Sequence, residues 1–198
     1  IHSADNWQIN LYRSLAFGLA ISIVLLFRYR KIAPRQLKGI GLQGVWAAVL
    51  IAFASISFLQ AITNTTVAAT TFTLSSIPFL TAAMAWLFLG ESIGKSTIFT
   101  MLAAIFGISL MFIQGLGSGS FYGNFMAFLC AIGFSGYATI IRKNRDSEML
   151  PTLILSNLII ILLALILRWD NISISWNDLI LCFVLGGLLS AIVNTLFI

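Results

Sequence analysis

Long apolar runs fill this chain, and short polar links divide them. Seven apolar spans can be drawn, at about 11–27, 40–62, 65–89, 97–116, 121–141, 150–167 and 179–198. From Gly39 through Gly90 no charged residue occurs at all. One bilayer crossing needs roughly 20 apolar residues, so this stretch is long enough for two. A tight turn at Thr63-Asn64-Thr65 joins them into a helical hairpin. Every span is expected to be a helix, because an open strand would leave backbone groups unsatisfied in hydrocarbon. Pro78 stands inside the third span, where a proline marks a kink. The first and sixth spans are short and need flanking residues or a thin bilayer to cross.

Composition fixes the solvent. Hydrophobic residues make up 60% of the chain and charged ones 9%, against about 25% charged in an ordinary globular chain. Mean hydropathy is +1.02. The expected class is an all-α integral membrane protein, a multi-pass helical bundle. A net charge of +5 would suggest nucleic acid in a soluble protein, but here the basic residues sit between spans and act as topology signals. The 28–39 link carries Arg28, Arg30, Lys31, Arg35 and Lys38, the 90–96 link Lys95, and the 142–149 link Arg142, Lys143 and Arg145. The turn at 63–64 and the 117–120 link carry none, and 168–178 carries only Arg168. This bias places the basic links on the cytoplasmic side and Ile1 outside. Cys130 and Cys182 each lie within an apolar run, which implies neither a disulfide framework nor a metal site. The chain begins at Ile1 and stops inside an apolar run at Ile198, so a piece of a longer membrane protein is expected.

Small residues recur at helix-packing spacing: Ala127, Ala131, Ser135 and Thr139 on the fifth span, Ala103 and Gly107 on the fourth, Gly133 and Gly136 three apart. Such rows let helix backbones approach closely in lipid. Spacing leaves open whether a row faces a second copy, so a homodimer stays an alternative. Phe27-Arg28-Tyr29 and Leu167-Arg168-Trp169 each close a span, and an odd number of spans separates them. A repeat at that distance would lie inverted in the membrane, an arrangement frequent in transporters.

The central stretch carries a more specific signal. Small residues after a tight turn, the mid-span Pro78 and the Trp86-Leu87-Phe88-Leu89-Gly90-Glu91 ending resemble the EamA-type drug/metabolite transporter superfamily. Ile105-Phe106-Gly107-Ile108-Ser109-Leu110, Arg13 early in the first span, and Gly123 through Lys143 are similar to further helices of that family. The resemblance is strongest over 64–115 and weak beyond 150. It implies ten helices in two inverted five-helix repeats, of which this chain would hold the second through eighth. The first repeat, lacking its first helix, would span 1–116, and a truncated second repeat 121–198. It also implies a central cavity, alternating access, and a small metabolite or drug as cargo. A bacterial inner (plasma) membrane is the expected location.

Candidate functional residues follow. Thr66, Thr70, Thr73 and Thr81 fall within roughly a 90° sector of an unbroken helix. Such a stripe either lines a polar path or bonds back to the preceding turn and to neighbouring helices. Glu91 sits at a helix C-terminus, unfavourably placed against the dipole. It pairs with Lys95 or an arginine of another helix, carries a coupling proton, or is an interfacial residue that helps start the next helix. Arg13, one turn into the first span, either attracts an anionic group or snorkels to the headgroups. Trp86 and Tyr137 are candidate cavity walls. No paired-histidine, G-x-S-x-G or phosphate-loop motif occurs, so no cofactor, metal or catalytic set is expected. A secondary transporter, exporting or exchanging, is the leading reading. An intramembrane enzyme and a non-transporting membrane subunit are the alternatives.

Overall fold

A computed structural model describes residues 5–29, 41–115, 121–144, 150–167 and 174–190. Every element within them is helical, with no strand among the described residues. In chain order these are α1 (Asn6–Tyr29), α2 (Leu42–Asn64), α3 (Val67–Leu74), α4 (Ile77–Leu89), α5 (Lys95–Gly115), α6 (Phe121–Lys143), α7 (Leu150–Leu167) and α8 (Trp176–Leu181). A π-helical segment, Cys182–Leu189, continues α8. By length and composition, three stretches can cross a membrane: Leu42–Asn64, Val67–Leu89 and Phe121–Lys143. Lys95–Gly107 and Pro151–Leu167 are shorter apolar helices. The tripeptide echo at 167–169 and the link at 28–39 lie largely outside the described residues.

The helices gather into two compact units, residues 53–145 and residues 1–52 with 146–198, with α2 passing from one to the other at Ala52–Phe53. In the first, α3 and α4 lie along α6, and α5 touches all three. The small-residue row explains the closeness. Ala127, Ala131, Ser135 and Thr139 are all buried on α6, and a Cβ on Gly123 would stand 2.7 Å from Asn64 C and Thr65 N. Three side-chain contacts fix direction. Thr65 Oγ1 donates to Asn124 Oδ1 at 2.8 Å near the start of the third and fifth spans. Ser135 Oγ donates to the Ile77 carbonyl at 3.2 Å midway. Glu91 meets Arg142 at the far end. The third and fifth spans therefore run parallel, as the distribution of basic links requires.

In the second unit α1 packs on α7 and on the π-helical segment. Gly18 lies against Asn157, and Gly187 admits Ala16 so closely that a Cβ would reach 2.9 Å. Ile21, Asn10, Thr152 and Pro151 are its largest fully buried side chains. Pro151 sits in the first turn of α7, where its missing N–H costs nothing.

Candidate functional site

The third span is not one helix. It stops after Leu74, turns through Ser75–Ser76, and restarts at Ile77 with Pro78 in its first turn. Proline explains the place. In an unbroken helix its ring would collide with the carbonyl four residues back, and no N–H would serve that carbonyl. The expected kink takes the form of a tight two-residue turn before the proline, in which Ser75 and Ser76 keep right-handed helical dihedrals. Ahead of the proline the backbone ladder tightens to i→i−3 bonds, Ser75 N to Phe72 O and Ser76 N to Thr73 O, and the serine hydroxyls add second bonds to the same two carbonyls. Ser75 Oγ donates to Phe72 O and Ser76 Oγ to Thr73 O, each at 2.6 Å. Ser135 reaches across from α6 to Ile77 O.

The threonine stripe divides around this break. Thr66 caps α3, its Oγ1 accepting from Ala69 N at 3.1 Å. Thr70 and Thr73 are buried where α3 meets α6, and donate to Thr66 O and Ala69 O. Thr81 stands half-buried on α4, beyond the Ser75–Ser76 turn. The hydroxyls of Thr70, Thr73, Ser75, Ser76 and Ser135 each donate to a carbonyl, which leaves their oxygen lone pairs as what they offer a ligand.

Beside the break, α4, α5 and α6 enclose a cavity of about 80 Å³ lined by Ser76, Phe79, Leu80, Ala83, Met101, Ala104, Ile105 and Phe128. Its exposed lining is wholly apolar. Trp86 and Tyr137 do not line it; Trp86 is exposed and Tyr137 half-buried. Sequence reading missed Ser76, Phe79 and Phe128. The Ser-Ser pair two residues before Pro78 was the available signal.

Glu91 follows Gly90, which takes φ 70° as a left-handed C-cap, a conformation that glycine adopts most easily. That turn sends the carboxylate towards α6, where Arg142 Nη2 stands 2.7 Å from Oε2. Of the two partners open to Glu91, the arginine of another helix holds it, not Lys95.

In the other unit Arg13 is half-buried, and Nη2 donates to Asn10 Oδ1 at 3.4 Å. Its stem lies against Gly186, which leaves room for it by lacking a side chain. Asn10 is fully enclosed, and its amide nitrogen has no hydrogen-bond partner among the described residues. Asp178 is buried in the first turn of α8, where the helix dipole favours a carboxylate. Both residues fall where the sequence shows only span ends, so their burial was not legible. Among the described residues no cluster of His, Cys, Asp and Glu could hold a metal, and Cys130 and Cys182 are free and buried.

The sequence profile of the EamA-like transporter family matches residues 1–113, more than half of the chain. No curated protein and no solved structure matches it significantly.

Proposed function

Because the chain belongs to the EamA-like transporter family, and is therefore an integral membrane protein of a transporter family, we propose that it carries small metabolites or drugs by alternating access, as an exporter or exchanger. The observation that carries this reading is the interrupted helix α3–α4. Helices broken at membrane depth are tolerated where they line a cavity, and in secondary transporters such breaks hold the cargo. Here Ser76 lines an apolar cleft beside the turn, and the buried hydroxyls of Thr73 and Ser135 lie nearby on α3 and α6. Polar groups of a cargo would meet this band of hydroxyls and an apolar portion the cleft. Pockets for drug-sized ligands run to about 300–1,000 Å³. A cavity of about 80 Å³ is therefore one subsite, or a site that widens on opening.

Thr66, Thr70, Thr73 and Thr81 remain the proposed polar path, with Trp86 and Tyr137 as outlying walls. Arg13, held over Gly186, is the proposed attractor of an anionic group. With no nucleotide-binding motif in these residues, an ion gradient or cargo exchange would drive the cycle, with Glu91 as the candidate coupling group. Residues 1–116 and 121–198 are proposed as parts of two repeats, and a bacterial inner membrane as the location.

A second reading has one observation behind it. Thr70 and Thr73 bond back within their own helix, as hydroxyls that merely hold a bundle together also do. Reconstitution in liposomes with a panel of labelled metabolites separates the two. A carrier gives cargo-dependent flux that falls in Thr70→Val with Thr73→Val while the protein stays folded. A structural subunit gives no flux for any cargo, and the same double variant lowers only stability.

A further inference from the structure

We propose that Arg142 is a positioning residue of the transport cycle: with Glu91 it forms the tie that keeps half-helix α4 against α6 and so closes one end of the cleft beside the helix break. The inference goes beyond the transporter reading, although the word cycle rests on it.

Half-helix α4 lies between two joints. At one end is the turn Ser75–Ser76, and at the other Gly90 in its left-handed conformation. Between them the segment lies along α6, but few of its side chains are fully enclosed. Ala85 is the one buried residue of α4, while Trp86, Leu87 and Phe88 are exposed. Two polar contacts cross from this segment to α6. Ser135 Oγ holds the Ile77 carbonyl beside the first joint, and Arg142 holds Glu91 beyond the second. A rigid segment hinged at the first joint can swing only if the second contact parts. Phe79, Leu80 and Ala83 ride on that segment, and face Met101, Ala104 and Ile105 of α5 and Phe128 of α6 across the cavity. Swinging α4 away from α6 therefore opens the cleft from the Glu91 end, which the basic links assign to the cytoplasm.

The strength suits the task. Both side chains are well exposed, 56% for Arg142 and 40% for Glu91. Ion pairs of that kind are modest and salt-sensitive. A fully buried pair would resist opening on every turnover, because separating it would strand a charge in low dielectric. A tie this weak shifts a two-state population by up to about 5-fold. It biases the closed arrangement without locking it.

The test measures accessibility, so that its outcome does not depend on knowing the cargo. In the full chain with Cys130→Ala and Cys182→Ala, Ala83→Cys is labelled by a membrane-impermeant maleimide in inside-out vesicles. Glu91→Gln or Arg142→Gln should raise the labelling rate by about 2- to 5-fold. The exchanged pair Glu91→Arg with Arg142→Glu should return it towards the parent rate. One molar NaCl should raise labelling in the parent and leave Arg142→Gln unchanged, an arm that needs no doubtful variant. Unchanged labelling in both single variants overturns the proposal, as does a parent rate indifferent to salt. A folded exchanged pair that labels like the single variants overturns it too. Absence of flux with these labelling changes present would sink the transporter reading and leave the tie standing.

Discussion

Gly123→Ala probes the tightest contact between α6 and the hairpin turn. The added Cβ would meet Asn64 C, Thr65 N and Thr65 Cβ, all at 2.7 Å. Ordinary contact begins at 3.4 Å, so one of the two segments must move. Two of the three close atoms are backbone, and no change of rotamer can relieve them. Overpacking of this kind costs about 1–3 kcal/mol. The neighbouring Thr65–Asn124 bond, 2.8 Å long, would be strained by the same shift; bonds between membrane helices are worth about 0.6 kcal/mol on average. Gly18→Ala is the control, since its Cβ would meet Asn157 at an ordinary 3.5 Å and alanine is the better helix former. Equilibrium unfolding in mixed micelles at fixed detergent composition reads both. The account expects Gly123→Ala to be destabilised by at least 1 kcal/mol and Gly18→Ala to be neutral or slightly stabilised. Equal stabilities for the two variants would refute the close approach of α6 to the 63–65 turn.

Other outcomes follow from the same contacts. Thr65→Val and Asn124→Leu should be non-additive, with a coupling of about 0.5–1 kcal/mol in a double-mutant cycle if the bond between them exists. Gly186→Ala should destabilise by about 1–3 kcal/mol, because its methyl lands on the stem of Arg13; adding Arg13→Ala should recover part of that loss in the same unfolding assay. Pro78→Ala restores an N–H able to serve the carbonyl of Leu74. It should leave stability unchanged or raised and lower flux in liposomes, since a continuous helix removes the hinge and the band together. Phe128→Ala should enlarge the cleft and change the order of preference among labelled cargoes more than it changes stability, read as competition for flux.

Much of this architecture is legible in the chain. Spans follow from apolar runs because hydrocarbon tolerates no unsatisfied backbone. The buried face of α6 follows from Ala127, Ala131, Ser135 and Thr139 at four-residue spacing, since small side chains admit a neighbour. The parallel course of the third and fifth spans follows from where the arginines and lysines stand. What sequence leaves hidden is where a general tendency meets a particular neighbour. Pro78 says that the helix is disturbed, but the form of the disturbance depends on its neighbours: Ser75 and Ser76 add hydroxyl bonds to Phe72 O and Thr73 O from within, and Ser135 reaches Ile77 O from another helix 58 residues away in sequence. Glu91 has two basic partners within reach on sequence alone, and the left-handed turn at Gly90 decides for Arg142. Asn10 and Asp178 sit at span ends, where polar residues are ordinary, and their burial belongs to the unit in which α1 packs on α7 and on the π-helical segment.

The account turns on the break at Ser75–Ser76 lying on a water-filled path across the membrane. Its most direct test places a single cysteine at Ser76 in the full chain, with Cys130 and Cys182 changed to alanine and Leu102→Cys, on an exposed apolar position of α5, as the comparison. The account predicts that Ser76→Cys reacts with a small water-soluble thiol reagent added to either side of sealed vesicles, while Leu102→Cys stays inert. Ser76→Cys as unreactive as Leu102→Cys from both sides would contradict it.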